Sequence, residues 1–154
     1  MPVARATPLG TMLDDGYSTK IALTNDSNIS FFEKTVKPPG LDGGDAIDIT
    51  TMHNSTYRTM AARSLITLTE NQATVAYDPA VYPLIIGQLN VNQLITVHFP
   101  NSDTLDFYGF LKSFEFSDNT EGEHPEATIV IVPTNVHSST GAETAPVMTS
   151  ADTS

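Results

Sequence analysis

The 154 residues carry 7 Lys+Arg against 18 Asp+Glu, a net charge of −11, and contain neither Cys nor Trp. Disulfides, thiolate zinc sites and cysteine nucleophiles are therefore excluded. The charge balance also argues against a phosphate-tracking surface, whose affinity comes from clustered Lys and Arg. A chain of this length is one domain on the usual scale of about 100–200 residues, long enough to bury a core without a metal staple.

Charged residues make up 16%, below the ~25% typical of soluble domains, and Thr, Ser and Asn take their place. That composition suits surfaces that meet other protein. Met1 to Thr11 holds no basic stretch followed by an apolar run, and no window approaches 18 apolar residues. The expectation is a protein without signal peptide or membrane span, made in a cytoplasm. The Asn-x-Ser/Thr triplets at Asn25, Asn28 and Asn54 then read as chance matches, not glycan sites.

In chain order, Tyr17 to Leu23 and Ile29 to Val36 read as short, less regular strands. Lys37 to Thr56 follows, with Pro-Pro-Gly, Asp-Gly-Gly-Asp and His-Asn-Ser-Thr and one strand-like patch at Ile47-Asp48-Ile49. A loop this long in a compact domain is functional or disordered. Ser64 to Tyr77 alternates through Ile66 and Leu68, turns at Glu70-Asn71-Gln72, and resumes with Ala73, Val75 and Tyr77. A helix is expected over Pro79 to Leu89, capped by Asp78, or beginning near Pro83, because a proline in the fifth helical position would remove a bond. Its stripe would be Val81, Leu84, Ile85 and Leu89.

The period is two from Leu94 to Phe99, with Ile95, Val97 and Phe99 on one face. Pro100-Asn101-Ser102-Asp103 reads as a turn, and Thr104 to Phe116 as the partner strand of a hairpin. There Leu105, Phe107, Gly109 and Leu111 share one face, and Tyr108, Phe110, Phe114 and Phe116 the other. Gly109 in mid-strand marks a bulge or a close backbone approach. Ala127 to Val132 is β-branched and ends at Pro133. Residues 137–154, rich in Ser, Thr and Ala with no basic residue, are expected to be disordered unless something outside the domain holds them. The division is thus one domain over residues 1–136 and a C-terminal arm over 137–154.

Chemistry is sparse. His53, His98, His124 and His137 lie in different elements, with no two at ligand spacing. Glu121, Glu123 and Glu126 with His124 read as an acidic hairpin tip in preference to a chelate. Asp42-Gly43-Gly44-Asp45 has a fragment of a calcium loop's residues without its spacing. No nucleophile elbow, phosphate loop or dinucleotide fingerprint is present. The aromatic face of the long strand lacks the cationic groove that a single-stranded nucleic-acid platform needs. Arg58 and Arg63 read as ion-pair partners for a neighbour's carboxylates. No cofactor and no metal are expected, and the chain is not read as an enzyme.

The order of pieces resembles the family of major tail tube proteins of long-tailed, non-contractile bacteriophages. The residues that carry the resemblance are Ala46-Ile47-Asp48-Ile49-Thr50-Thr51-Met52, the Tyr57-Arg58 stretch after it, and the hairpin built on Phe99-Pro100-Asn101-Ser102-Asp103 and Phe107-Tyr108-Gly109-Phe110-Leu111. The match spans Tyr17 to Thr134 and departs from many relatives at Ser102-Asp103, where they carry Asp-Gly. The resemblance implies a mainly β fold, a β-sandwich or β-barrel with one flanking α-helix, assembled as hexameric rings stacked into a hollow tube. It implies an inter-ring loop containing Lys37, Asp42, Asp45, Asp48, His53 and Asn54, and terminal arms that also bridge rings. Its implied partners are further copies of the chain, tape measure protein, tail terminator and baseplate or tail-tip proteins. DNA passes transiently through the bore, and no membrane is involved. The location would be the virion tail, after synthesis in the host cytoplasm. Two other readings remain open: a terminator or head–tail connector ring, and a monomeric β-sandwich binding module, for which the absence of Trp is unfavourable.

Overall fold

The computed structural model describes residues 19–26, 29, 31–76, 79–100 and 102–150. The expectations for Tyr17, Asn28, Tyr77, Asp78 and Asn101, and for the N-terminal segment, concern positions outside these residues.

The protein is mainly β. Its main sheet is antiparallel, in the order β1 (Lys20–Leu23), β8 (Gln93–His98), β9 (Thr104–Phe116), β10 (Glu126–Pro133), β7 (Asn71–Ala76), β2 (Glu33–Lys37). Period-two alternation decides its faces. Ile21, Val75, Ile95, Val97, Phe107, Ile129 and Ile131 are all buried on one side, while their neighbours along each strand point away. The two edges of the sheet are tied together, because Ile21 N–H of β1 donates to Glu33 Oε1 of β2 at 3.0 Å. The sheet thus curls around its core into a sandwich-like body.

The helix is shorter than expected. α1 runs Tyr82–Ile86, and Pro83 falls in its first turn, where a missing N–H leaves no bond unmade. Its Ile85 and the preceding Val81 are buried against the sheet. None of the described helices is long and apolar enough to cross a membrane.

Gly109 is a close approach, as its position in mid-strand suggested. A Cβ there would lie 2.7 Å from the Val132 carbonyl oxygen and 3.3 Å from the Phe107 ring. The bulge sits elsewhere, at Lys112: Leu111 pairs with Ile131 and Ser113 with Val130. This extra residue reverses the alternation. Phe114 and Phe116 therefore share the side of Ile129 and Ala127, whereas Tyr108 and Phe110 stay on the opposite side. The expected single face of four aromatics does not exist.

Two further expectations are corrected. Glu70-Asn71-Gln72 is not a turn; Asn71 and Gln72 begin β7 and pair with β10 and β2. The C-terminal segment is held by its own domain, since β11 (Val147–Thr149) pairs with β9 from Asp106 to Thr104. The reason is a free edge. Pro133, opposite Gly109, is the last rung of β10, so the first residues of β9 lack a partner on that side until β11 returns to them. A small hairpin leads it back, anchored by a ring contact between Tyr108 and His137 at 4.7 Å and by Thr144 N–H donating to Asn135 O at 2.8 Å.

Candidate assembly surfaces

The long segment after Lys37 is a ribbon, not an open loop. Lys37 pairs with Gln72 at the end of the main sheet. The same register continues outward as β3 (Leu41–Asp42) on β6 (Thr67–Leu68), with Leu41 opposite Leu68. After a one-residue shift it resumes as β4 (Ile47–Asp48) on β5 (Met60–Ala61). The arm is therefore the outer part of a single β2–β7 hairpin. Sixteen residues separate Lys37 from His53; at ~3.3 Å each, the arm reaches up to about 50 Å from the sheet.

Local polar contacts fold the arm. Asp42 Oδ1 accepts from Gly44 N–H at 2.9 Å, shaping the turn where Gly44 takes φ +81° under the Arg63 side chain. Arg63 Nε donates to the Asp45 carbonyl at 2.8 Å. Asn54 organises the tip: its Oδ1 accepts from Thr51 N–H at 2.9 Å, and its Nδ2 donates to Tyr57 O at 3.1 Å and Thr59 Oγ1 at 2.7 Å. His53 N–H donates to Thr51 Oγ1 at 3.3 Å. The Asp48 carboxyl is held below its ordinary value by hydrogen bonds from the Thr50 hydroxyl and N–H, with Arg58 adding to them. Arg58 Nη1 lies 3.0 Å from Asp48 Oδ2. Both groups are exposed, so water screens the pair and it adds little to stability.

Asp42, Asp45, Asp48, His53, Asn54, Arg58 and Arg63 thus share one ribbon, with Lys37 at its root. Within the chain, the arginines meet the arm's own oxygens. Glu121 and Glu123 lie apart, on the exposed turn between β9 and β10, and Glu126 pairs with Lys34 at 2.7 Å. Lys112 pairs with Glu70 at 3.2 Å. Among the described residues no cluster of three His, Asp or Glu side chains could hold a metal.

Reading from sequence took Ser64 to Leu68 as strand but missed its pairing with the outgoing half of the arm, the strand at Met60–Ala61, and the exposure of the arm's apolar side chains. Leu41, Ile49, Met52, Tyr57, Met60, Leu65 and Ile66 are all exposed, Met52 completely. The available signal was symmetry. Apolar residues recur on both sides of His53-Asn54-Ser55, as two strands meeting at a turn require. A second exposed apolar patch lies on α1 and the end of β9, where Tyr82 and Phe116 rings stand 5.7 Å apart and Phe114 meets Phe116 edge-on at 5.3 Å. Ile86, one turn along the helix, extends it and is 61% exposed.

No family model matches the sequence, and no curated protein matches it. The fold does have counterparts. A chain from the virion of a native gene transfer agent particle aligns with a TM-score of 0.62 at 10% identity, over 90% of this chain and 100% of that one. The protein shares the fold of that chain. A chain from the tail of an empty gene transfer agent particle, refined helically with C6 symmetry, aligns with a TM-score of 0.61 at 10% identity and the same coverage. A chain from the six-fold symmetrised baseplate of the anti-feeding prophage aligns with a TM-score of 0.58 at 9% identity, covering 85% of this chain and 90% of that one.

Proposed function

We propose that this protein is a structural subunit of a phage-type tail, which polymerises as stacked six-membered rings into a hollow tube that passes DNA at ejection. The observation that carries this reading is the near-complete coverage of a helically assembled tail chain by a body of the same fold. The arm supports it. A two-stranded ribbon with exposed apolar residues along its length has no interior of its own and requires a neighbour to cover it. A head-to-tail ring needs one surface to complement a different one, and stacking needs a second such pair. The arm and the terminal segments are the inter-ring elements in this reading, and tape measure, terminator and baseplate proteins are the partners at the tube's ends. The protein would act in the virion and perform no catalysis.

The charge balance fits the same role. A cationic bore would trap DNA by releasing its counterions, whereas an acidic or neutral one lets the polyanion slide. Lys34 and Lys112 are each already matched to a carboxylate, and no Lys or Arg follows Lys112. The bore is accordingly expected to carry more Asp and Glu than Lys and Arg. A bore lined by Lys34, Lys112 and the arginines would overturn this part.

Negative-stain microscopy with sedimentation at several protein concentrations tests the whole. Open tubes of variable length are the expected result. Single closed rings would favour a terminator or connector, and a monomer at every concentration would overturn the reading.

A further inference from the structure

The register of the main sheet places the arm and the aromatic patch at opposite ends of the molecule. Leu111, Ile131 and Asn71 stand side by side across β9, β10 and β7, and the arm leaves from this end. Moving along the same strands, Phe116, Ala127 and Val75 stand side by side near the other end. The turn carrying Asp118, Glu121 and Glu123 projects beyond that end. The arm therefore cannot fold onto the patch of its own body without reversing its direction. A second copy, stacked head to tail, presents that patch to it.

We propose that the arm of one copy docks on the Tyr82–Ile86–Phe116 face of a second copy. Arg63 of the docked arm meets the acidic turn above that face. This rests on the tube reading for the partner's identity and adds the receiving surface.

Two observations carry it. The first is apolar matching. Met52 and Tyr57 at the arm tip are 101% and 83% exposed, and Tyr82, Ile86 and Phe116 are 45%, 61% and 49% exposed. Aromatic and Met anchors of this kind dominate interface energetics once water is excluded. The second is charge. Arg63 donates to a carbonyl, and its guanidinium forms no ion pair among the described residues. Asp118, Glu121 and Glu123 likewise form none there. The order of features agrees as well. With two copies overlapping end to end, the acidic turn of one projects toward the middle of the other's arm, where Arg63 lies. The arm tip then reaches past the turn to Phe116 and Tyr82.

The absence of cysteine makes a direct test clean. A Met52→Cys/Ile86→Cys chain, assembled and mildly oxidised, is expected to give a ladder of covalent multimers on a non-reducing gel. Either single variant should give dimers at most. Independently, Arg63→Glu should raise the critical concentration for assembly by about tenfold. Combining it with Glu121→Arg and Glu123→Arg should restore the wild-type value. Each substitution lies at an exposed position, and an unchanged melting temperature verifies the fold. If wild-type tubes form but the ladder is missing and charge reversal has no effect, the docking is wrong and the tube reading survives. If the wild-type chain never assembles, both fall.

Discussion

Lys37 stands opposite Gln72 at the last rung of the main sheet, and beyond that rung the two strands do not part. Four residues further out, Leu41 faces Leu68 in the same register. Gly40 marks the junction: its carbonyl accepts from Thr69 N–H at 2.9 Å, and its own N–H donates to Thr69 Oγ1 at 2.7 Å. The arm is thus separable at a defined place. Replacing residues 41–68 with an Asn-Gly turn closes the hairpin between Gly40 and Thr69. Only Leu68, half-buried at the margin of the core, is lost from it, so thermal unfolding should stay cooperative with its midpoint little changed. Sedimentation should show that polymer is lost altogether.

Gly109 tests the tightness of the body. Because a Cβ would sit 2.7 Å from the carbonyl oxygen of Val132, backbone would have to move. Gly109→Ala should destabilise by about 2–3 kcal/mol, lowering the melting midpoint by roughly 5–10 °C. Calorimetry measures this directly, and an unchanged midpoint would contradict the close approach.

Asn71 offers the opposite sign. It is 1% exposed, and neither its Oδ1 nor its Nδ2 has a hydrogen-bond partner among the described residues. A buried, unmatched amide costs about 1–3 kcal/mol. Asn71→Val, β-branched and of similar size, should therefore stabilise the fold by about 1 kcal/mol. A loss of stability in urea titration would refute this account of the side chain.

Asp48 makes the arm sensitive to acid. Its carboxyl is held below the ordinary range, first by Thr50. A depressed folded-state value means that the turn's stabilisation is complete above the ordinary carboxylate pKa of ~3.9 and is lost as pH falls through the lower, folded value. A carboxyl carbon titration by NMR should give a midpoint below ~3.9 for Asp48. Thr50 amide protection should disappear over the same interval, and Asp48→Asn should abolish that dependence.

Much of the body was legible from the residues because burial writes a period of two. Ile95-Thr96-Val97 alternates between core and half-buried faces as read, Ala127 to Val132 forms the strand its β-branched residues suggested, and Gly109 announced a close contact. Glu121 and Glu123 lie on a turn between strands as read, whereas Glu126, grouped with them, begins β10 and pairs with Lys34. The aromatic face was misjudged because a bulge at Lys112 leaves no mark in composition. It changes only which backbone group meets which. The assembly surfaces were half visible: the arm's outgoing strand carried recognisable motifs, and its return strand, exposed except for the half-buried Ala61 and Leu68, carried too little burial pattern to show its pairing.

The sequence by itself determined that this is a cysteine-free, acidic, mainly β domain, because charge, composition and side-chain alternation are properties of the chain taken in order. Only the tertiary structure decided that Lys37 to Thr69 is one continuous ribbon, that Phe114 and Phe116 turn toward the core side, and that Val147–Thr149 completes the edge of β9. Each of these depends on which backbone edge is left free for pairing. That is settled by distant strands, such as a β10 that stops at Pro133, and not by the residues that take up the pairing.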